Sequence, residues 1–425
     1  MEIAVFWFRR DLRLHDNTAL NSALTSGKKV LALFIFDTII LNELEKDDAR
    51  VNFIHETLSE INLELKNYGS SILVKKGNPL EVWQELLTQF NIKEVYANKD
   101  YEPYGISRDQ QIHKVLSQNN CSFTICKDHV IFEENEVIKN DGLPYTVYTP
   151  YKNKWLEKFH SQTLKIQSLV NTNFYEQNNA FPKLEEIGFK YNNIKVKPIN
   201  LNQLEEYHLN RDFPAKDSGT NLGPHLRFGT VSVRQMVKIG VERNQTFLHE
   251  LIWREFFMQI LFHFPQVVTQ SFKKQYDNIE WRNNTSEFEQ WCKGETGYPM
   301  IDAGMKELNA TGYMHNRVRM VVASFLCKHL LIDWRWGEAY FAKKLLDYEL
   351  ASNNGNWQWA AGTGCDAAPY FRVFNPTTQQ QKFDPEFNYI KKWLPNYQEI
   401  SFTLPIVEHK FARDRAISTY KNGLK

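Results

Sequence analysis

Little in this chain invites covalent or metal cross-linking. Its five cysteines (Cys121, Cys126, Cys292, Cys327 and Cys365) include no C-x-x-C pair. An odd, scattered set argues against a disulfide framework and against a zinc site, and it suits a reducing cytoplasm. Long hydrophobic runs are missing too. The two longest, 30–36 and 256–264, are short, and Gln259 and His263 interrupt the second, so nothing is expected to span a membrane. The apolar opening Ile3–Phe8 runs straight into Arg9-Arg10-Asp11, which is too short and wrongly flanked for a signal peptide. Charge of one sign is absent, with 51 Lys and Arg against 50 Asp and Glu. That balance excludes nucleic-acid binding by bulk basicity and leaves only a local patch. No internal repeat or low-complexity segment is visible, and the glycine fingerprint G-x-G-x-x-G does not follow the first apolar run; WFRRDLRLHDN does.

What the chain has in quantity is aromatic side chain, 14% of 425 residues, including 11 tryptophans. Trp7, Trp83 and Trp155 precede residue 250, whereas Trp253, Trp281, Trp291, Trp334, Trp336, Trp357, Trp359 and Trp393 crowd into the later part. Core packing alone does not require that clustering. Tryptophan is also the readily oxidised side chain and a stacking platform for bases.

The length suggests two to three domains. Over 1–130, short runs rich in Val, Ile and Phe (Ile3–Phe8, 29–36, 71–75, 94–97 and 121–126) alternate with helical patterns at 48–67, 79–90 and 107–117. Such alternation predicts an α/β domain with a parallel sheet covered on both faces. Residues 131–199, with prolines at 144, 150, 182 and 198, read as a long interdomain connection. Residues 200–425 read as all-helical, with apolar spacing of three and four at 231–243, 246–262, 300–310, 316–331 and 337–346. Residues 201–425 carry 27 basic against 24 acidic residues, and 1–130 carry 15 against 18, so any polyanion site belongs to the helical part.

Four constellations there bear on chemistry. In a helix over 316–331, Asn316, Arg319, Met320 and Ala323 share a face while Arg317 points elsewhere. This is either a solvated pair of arginines or one arginine on a buried anion and one on a phosphate. After 337–346, the stretch DYELASNNGNWQW predicts a loop of small and amide residues that brings backbone close to a ligand. In GTGCDAAPYFRVFNP, Arg372 sits among Tyr370, Phe371 and Phe374, which suits a phosphate or a stacked base, or a packed surface. In GTNLGPHLRFG, Gly, Thr and Asn before a helix form a plausible pyrophosphate cradle, though such loops usually only cap helices.

Order and spacing add what each signal lacks alone. VFWFRRDLRLHDN, RDFPA, ELIWREF, GYPMIDAGM, GYMHNRVRM, LLIDWRWGE, NNGNWQWAAGTGCDAAPYFRVFNP and PIVEHKFAR, taken together, resemble the photolyase/cryptochrome family over essentially the whole chain, and within it the class I cyclobutane pyrimidine dimer photolyases. The resemblance implies a Rossmann-like α/β antenna domain, a linker and a helical domain holding non-covalent, reduced FAD. Photoexcited flavin would pass an electron to a flipped-out pyrimidine dimer in damaged DNA and recover it after the ring splits.

Residue by residue, the resemblance implies that Asn353 faces the flavin N5, and that Arg319 and Asp347 form the ion pair beside the ring. Trp357, Trp334 and Trp281 would carry electrons from the surface to the flavin. Glu250, Trp253, Asn316, Arg317, Met320, Trp359 and Arg372 would bind the substrate, with Glu250 on the base edge and Arg317 and Arg372 on phosphates. Tyr207, Thr220, Asn221, Leu222, Gly223, Arg254 and Glu349 match FAD-contacting positions. Two hydroxyl positions of the family's phosphate loop are here Gly219 and Gly223, and Glu349 is one methylene longer than the usual Asp. Where folate-binding members carry Asn-Glu, this chain has Tyr104-Gly105, so a deazaflavin or second flavin is favoured as any antenna chromophore. A monomer is expected. Asn353 and the absence of a long tail after Trp393 disfavour a cryptochrome photoreceptor, and Asn316 in place of a pocket histidine disfavours repair of (6-4) photoproducts.

Overall fold

The computed structural model describes residues 1–169, 172–397 and 404–425. Five strands, β1 (Ile3–Phe8), β2 (Lys29–Asp37), β3 (Ile72–Gly77), β4 (Ile92–Asn98) and β5 (Ser122–Cys126), form one wholly parallel sheet in the order β3-β2-β1-β4-β5. Strand β1 is continuously apolar because both of its faces are covered. Ala4, Phe6 and Phe8 join one core with Val51 and Leu58 of the Ala49–Lys66 helix. Ile3, Val5 and Trp7 join another with Trp83, Leu86 and Ile112 of the Pro79–Gln89 and Pro103–Gln118 helices. Asp48 and Asn78 start two of these helices by accepting from the backbone N–H of Arg50 and Leu80. These elements lie within a few residues of where the alternation of patterns places them.

The chain forms two compact units, and neither is one continuous stretch. The first comprises Met1–Glu136, Leu156–Pro198 and Leu222–Glu242; the second comprises Val137–Trp155, Ile199–Asn221 and Arg243–Lys425. This differs from a division into 1–130, 131–199 and 200–425. The connecting segment is shared out because its two parts bond to different units. Trp155 donates its indole N–H to the buried Glu255 at 2.7 Å, whereas Asn173 and Tyr175 exchange backbone hydrogen bonds with Val30 of β2. Leu222–Glu242 belongs with the sheet because Arg234 is buried there. Its guanidinium lies 3.0 Å from Asp16 and 2.8 Å from Asp128, and Arg13 takes the other Asp128 oxygen at 2.6 Å. Burial alone would raise the Asp128 carboxyl, but Arg13 and Arg234 hold it well below the usual range.

The second unit is helical and packs around Trp291, Trp334, Phe341 and Trp357. Two expectations change here. The 316–331 helix is α-helical only over Asn316–Ser324, then widens to a π turn, Phe325–His329. The loop expected around 351–356 is instead the helix Leu350–Ala361. Asn, Ser and Gly are poor helix formers, but tertiary packing overrides propensity. Gly355 lies against the ring of Phe257, where a Cβ would come within 2.2 Å, and Trp357 packs on Phe341 with ring centroids 4.9 Å apart.

Candidate active site

The helix Gln245–His263 supplies Glu250, Trp253, Arg254 and Phe257 at spacings that keep them near one face. Asn316 and Met320 come from Asn316–Ser324, and Ser352, Asn356 and Trp359 from Leu350–Ala361. Together with Arg211 these residues line one cavity of about 280 Å³ in the second unit. The helix that replaces the expected loop sets their directions. Asn353 and Trp357, four residues apart, turn into the protein, while Ser352, Asn356 and Trp359 face the cavity.

Ion pairs define its electrostatics. The Arg211 guanidinium bonds to Glu250. Burial raises the Glu250 carboxyl, and Arg211 pulls it the other way. Arg317 pairs with Asp212 at 2.7 Å and lies 4.4 Å over the Phe383 ring. Arg254 reaches Glu349 at 3.1 Å, and Arg319 reaches Asp347 at 2.9 Å. The Asn353 amide donates to the Glu338 side chain at 2.8 Å, and burial raises that carboxyl above its ordinary range. The ring of Tyr148 stacks on Trp253, with centroids 3.5 Å apart and planes 8° from parallel.

Of the sequence-predicted residues, Glu250, Trp253, Arg254, Asn316, Met320 and Trp359 thus meet at one cavity. Trp357 and Trp334 are buried in the unit's main core, and the half-buried Trp281 packs against its edge. Tyr207 packs on Phe247. Arg372 is exposed on the loop after Leu350–Ala361, 5.7 Å from the Phe374 ring. The 220–223 stretch runs across a unit boundary. Thr220 and Asn221 belong to the second unit, while Leu222 and Gly223 open a seven-residue helix, Leu222–Phe228, of the first. Sequence reasoning missed Arg211, Asp212, Glu338 and Tyr148. Arg211 and Asp212 begin the RDFPA motif, which was a usable signal; Tyr148 lay in the segment read as linker.

Two family models match this chain: DNA photolyase over residues 4–169, and the FAD binding domain of DNA photolyase over residues 247–404. A deoxyribodipyrimidine photo-lyase of Vibrio cholerae is 34% identical, across 98% of this chain and 99% of its own. The chain belongs to the DNA photolyase family. Among solved structures, the photolyase of the archaeon Sulfolobus tokodaii, described with two FAD molecules, is 36% identical with a TM-score of 0.87, over 99% of this chain and 100% of that one. A Synechocystis cryptochrome is 25% identical with a TM-score of 0.83, over 99% of each chain.

The family's flavin fits residues present here. Asp347 Oδ1 is buried and has no donor among the described residues, so an N–H or O–H of a bound group would satisfy it. Its other oxygen is held by Arg319, a cation that suits an anionic ring. In the first unit, Arg9 and Arg10 leave the carboxyl end of β1 beside Asn98 and Asp100, at the point where the strand order reverses. There Tyr104 donates to Asp37, and Arg9 bonds Asp109 at 2.6 Å. Gly105 is required because a Cβ would sit 2.6 Å from the Asp100 carboxyl carbon. Among the described residues, no helix is long and apolar enough to cross a membrane.

Proposed function

We propose that this photolyase-family protein uses light to split cyclobutane pyrimidine dimers in DNA. The observation that carries this reading is the cavity of about 280 Å³ walled by Trp253 and Trp359, with Glu250, Asn316 and Met320 between them. Aromatic surfaces to pack on, set among polar and charged side chains that can bond base edges, suit a pair of bases taken out of the stack. Bound reduced FAD would supply the redox chemistry, an electron lent to the dimer with no net oxidation.

The chain's own residues do the rest. Glu250, fixed by Arg211, accepts from a base N–H and orients the dimer. Trp253 is held in place by Tyr148 and packs against one side of the dimer, and Trp359 against another. Arg317 and Arg372 bind phosphates flanking the lesion. Asn353, anchored on Glu338, lies on the same helix as Trp359 and serves the flavin side, with Arg319, Asp347, Arg254, Glu349, Tyr207 and the 220–223 stretch. Trp357, Trp334 and Trp281 pass electrons inward from solvent; their burial, full for the first two and partial for the third, supports that direction. His315 accepts from the Arg317 backbone N–H, and burial pushes its imidazole down to about 4. A histidine held neutral is a poor proton donor for (6-4) chemistry, which further supports dimer repair. The groups at the carboxyl end of β1 are the place for an antenna chromophore of flavin or deazaflavin type.

The test is repair itself. Protein with its flavin reduced is mixed with oligothymidine carrying cyclobutane dimers, and thymine absorbance is followed under blue light and in the dark. Recovery only in the light is expected. No recovery with FAD bound and reduced would overturn the reading and move the weight to a photoreceptor on the same fold.

A further inference from the structure

Lys328 is buried, yet among the described residues it has no carboxylate partner within salt-bridge distance. It projects from the π turn Phe325–His329. Its ammonium donates to the carbonyl of Ala361 at 2.8 Å and to that of Tyr370 at 3.2 Å, and it lies 3.7 Å from the centre of the Tyr420 ring. Two carbonyls and one π face account for all three N–H groups. A neutral amine would turn a lone pair towards one of these electron-rich partners, so the geometry is built for the charged form.

The two carbonyls matter because of where they are. Ala361 is the last residue of the helix that carries Asn353, Trp357 and Trp359, and its carbonyl lies at the negative end of the helix dipole. Tyr420 donates to the same oxygen at 2.8 Å. Tyr370 stands on the following loop, two residues before Arg372. A methionine would fill the Lys328 site without the cost of burying a charge. Packing therefore does not explain the lysine, and the tie between helix and loop does.

We propose that Lys328 is a positioning residue whose positive charge ties the helix bearing Trp359 to the loop bearing Arg372, so that dimer binding depends on that charge. The proposal rests on reading Trp359 and Arg372 as substrate contacts.

Burial pulls the Lys328 ammonium down to about 7, so its charge is lost within the ordinary working range. The titratable and charged groups around it are Cys327 and His329 on its own turn, Asp333 acting on Cys327 and Tyr420, Tyr420 on the helix His409–Gly423 with Tyr276 beyond it, Arg415 of that helix on the His329 carbonyl, and Tyr370 on the loop. Burial pushes the Cys327 thiol and the Tyr420 phenol up and the His329 imidazole down, so all three are neutral near pH 7. Affinity for dimer-containing DNA therefore falls as pH rises. This group's effect on folding has the opposite sign. The folded chain holds the proton less tightly than the unfolded chain, so its contribution to stability increases from about pH 7 towards the ordinary lysine value of 10.5.

The experiment uses the FAD-loaded protein in the dark. Binding of labelled oligothymidine with one cyclobutane dimer is measured by anisotropy from about pH 6 to about 8.5, with thermal unfolding at each pH. The parent should lose about tenfold in affinity over that range without losing stability. Lys328→Met should bind weakly at every pH with no step, and Lys328→Arg should bind with no step because its charge persists. A flat profile in the parent, which requires no variant to fold, overturns the proposal, as does parent-like binding by Lys328→Met when Arg372→Ala is weakened. Undiminished binding by Arg372→Ala overturns the substrate-contact reading instead, so the two failures are distinguishable.

Discussion

Arg211 and Glu250 show how much a single contact decides at the cavity. The carboxyl is raised by burial and held in check by one guanidinium. As pH falls through that raised value, Glu250 takes up a proton and ceases to be a charged acceptor for a base N–H. Repair yield is expected to decline on the acid side, and Glu250→Gln should be low and flat there. The variant should lose about an order of magnitude in dimer affinity, the scale of one hydrogen bond to a charged group; binding titrations across pH check this. Asp347→Asn should weaken FAD retention, because Arg319 would keep its charge without a partner, at a cost of up to about 3 kcal/mol. Flavin released on dialysis measures it. At this scale Trp253, Trp359 and Glu250 were readable through the family resemblance of the motifs that carry them, and they line one cavity. The sequence was not readable where a partner comes from distant chain. Tyr148 lies 105 positions before the indole it stacks on, and no local pattern joins them.

Elements tell a different story about what local sequence can show. The strands and the longer amphipathic helices were legible because each has one period and one environment. The helix Leu350–Ala361 was not, because it is buried on more than one side and built from residues that favour turns. Its helicity comes from what it touches, Phe257 through Gly355 and the Trp334–Lys344 helix through Trp357 and Gly337. This gives a test with a diagnostic sign. In an exposed helix Gly→Ala stabilises by about 1 kcal/mol. Gly355→Ala should instead destabilise by about 1–3 kcal/mol, since its methyl meets the Phe257 ring. Urea unfolding of the parent and the variant separates the two. The same scale holds the proposed electron path, whose three tryptophans lie on one helix, at the start of another and on a loop. Trp281→Phe should abolish reduction of the flavin by blue light in the presence of a thiol, followed by its absorbance, whereas chemical reduction should still yield a repairing enzyme. Normal photoreduction would place the surface end of the path elsewhere.

For the molecule as a whole, near-neutral charge sets the character of DNA binding. Net charge is +1, so affinity must come from a few placed cations rather than from a basic surface. A shallow dependence of affinity on salt is expected, with Arg372→Ala reducing the slope by about 1; titrations at several salt concentrations give both slopes. Composition made that much plain, and the run of motifs made the architecture plain. What could not be seen was how the chain is distributed, because Leu222–Glu242 reads as part of the helical half and folds with the sheet. The tie is the buried Arg234 between Asp16 and Asp128, both more than 100 positions upstream. Arg234→Met should cost about 3–5 kcal/mol, as expected when a buried pair loses one member. A further consequence concerns inheritance. A single genetic crossover near codon 200 takes the two aspartates from one parent and the arginine from the other. A hybrid whose parents differ at any of these three positions is expected to be destabilised by the broken buried pair, so the two halves are not freely exchangeable.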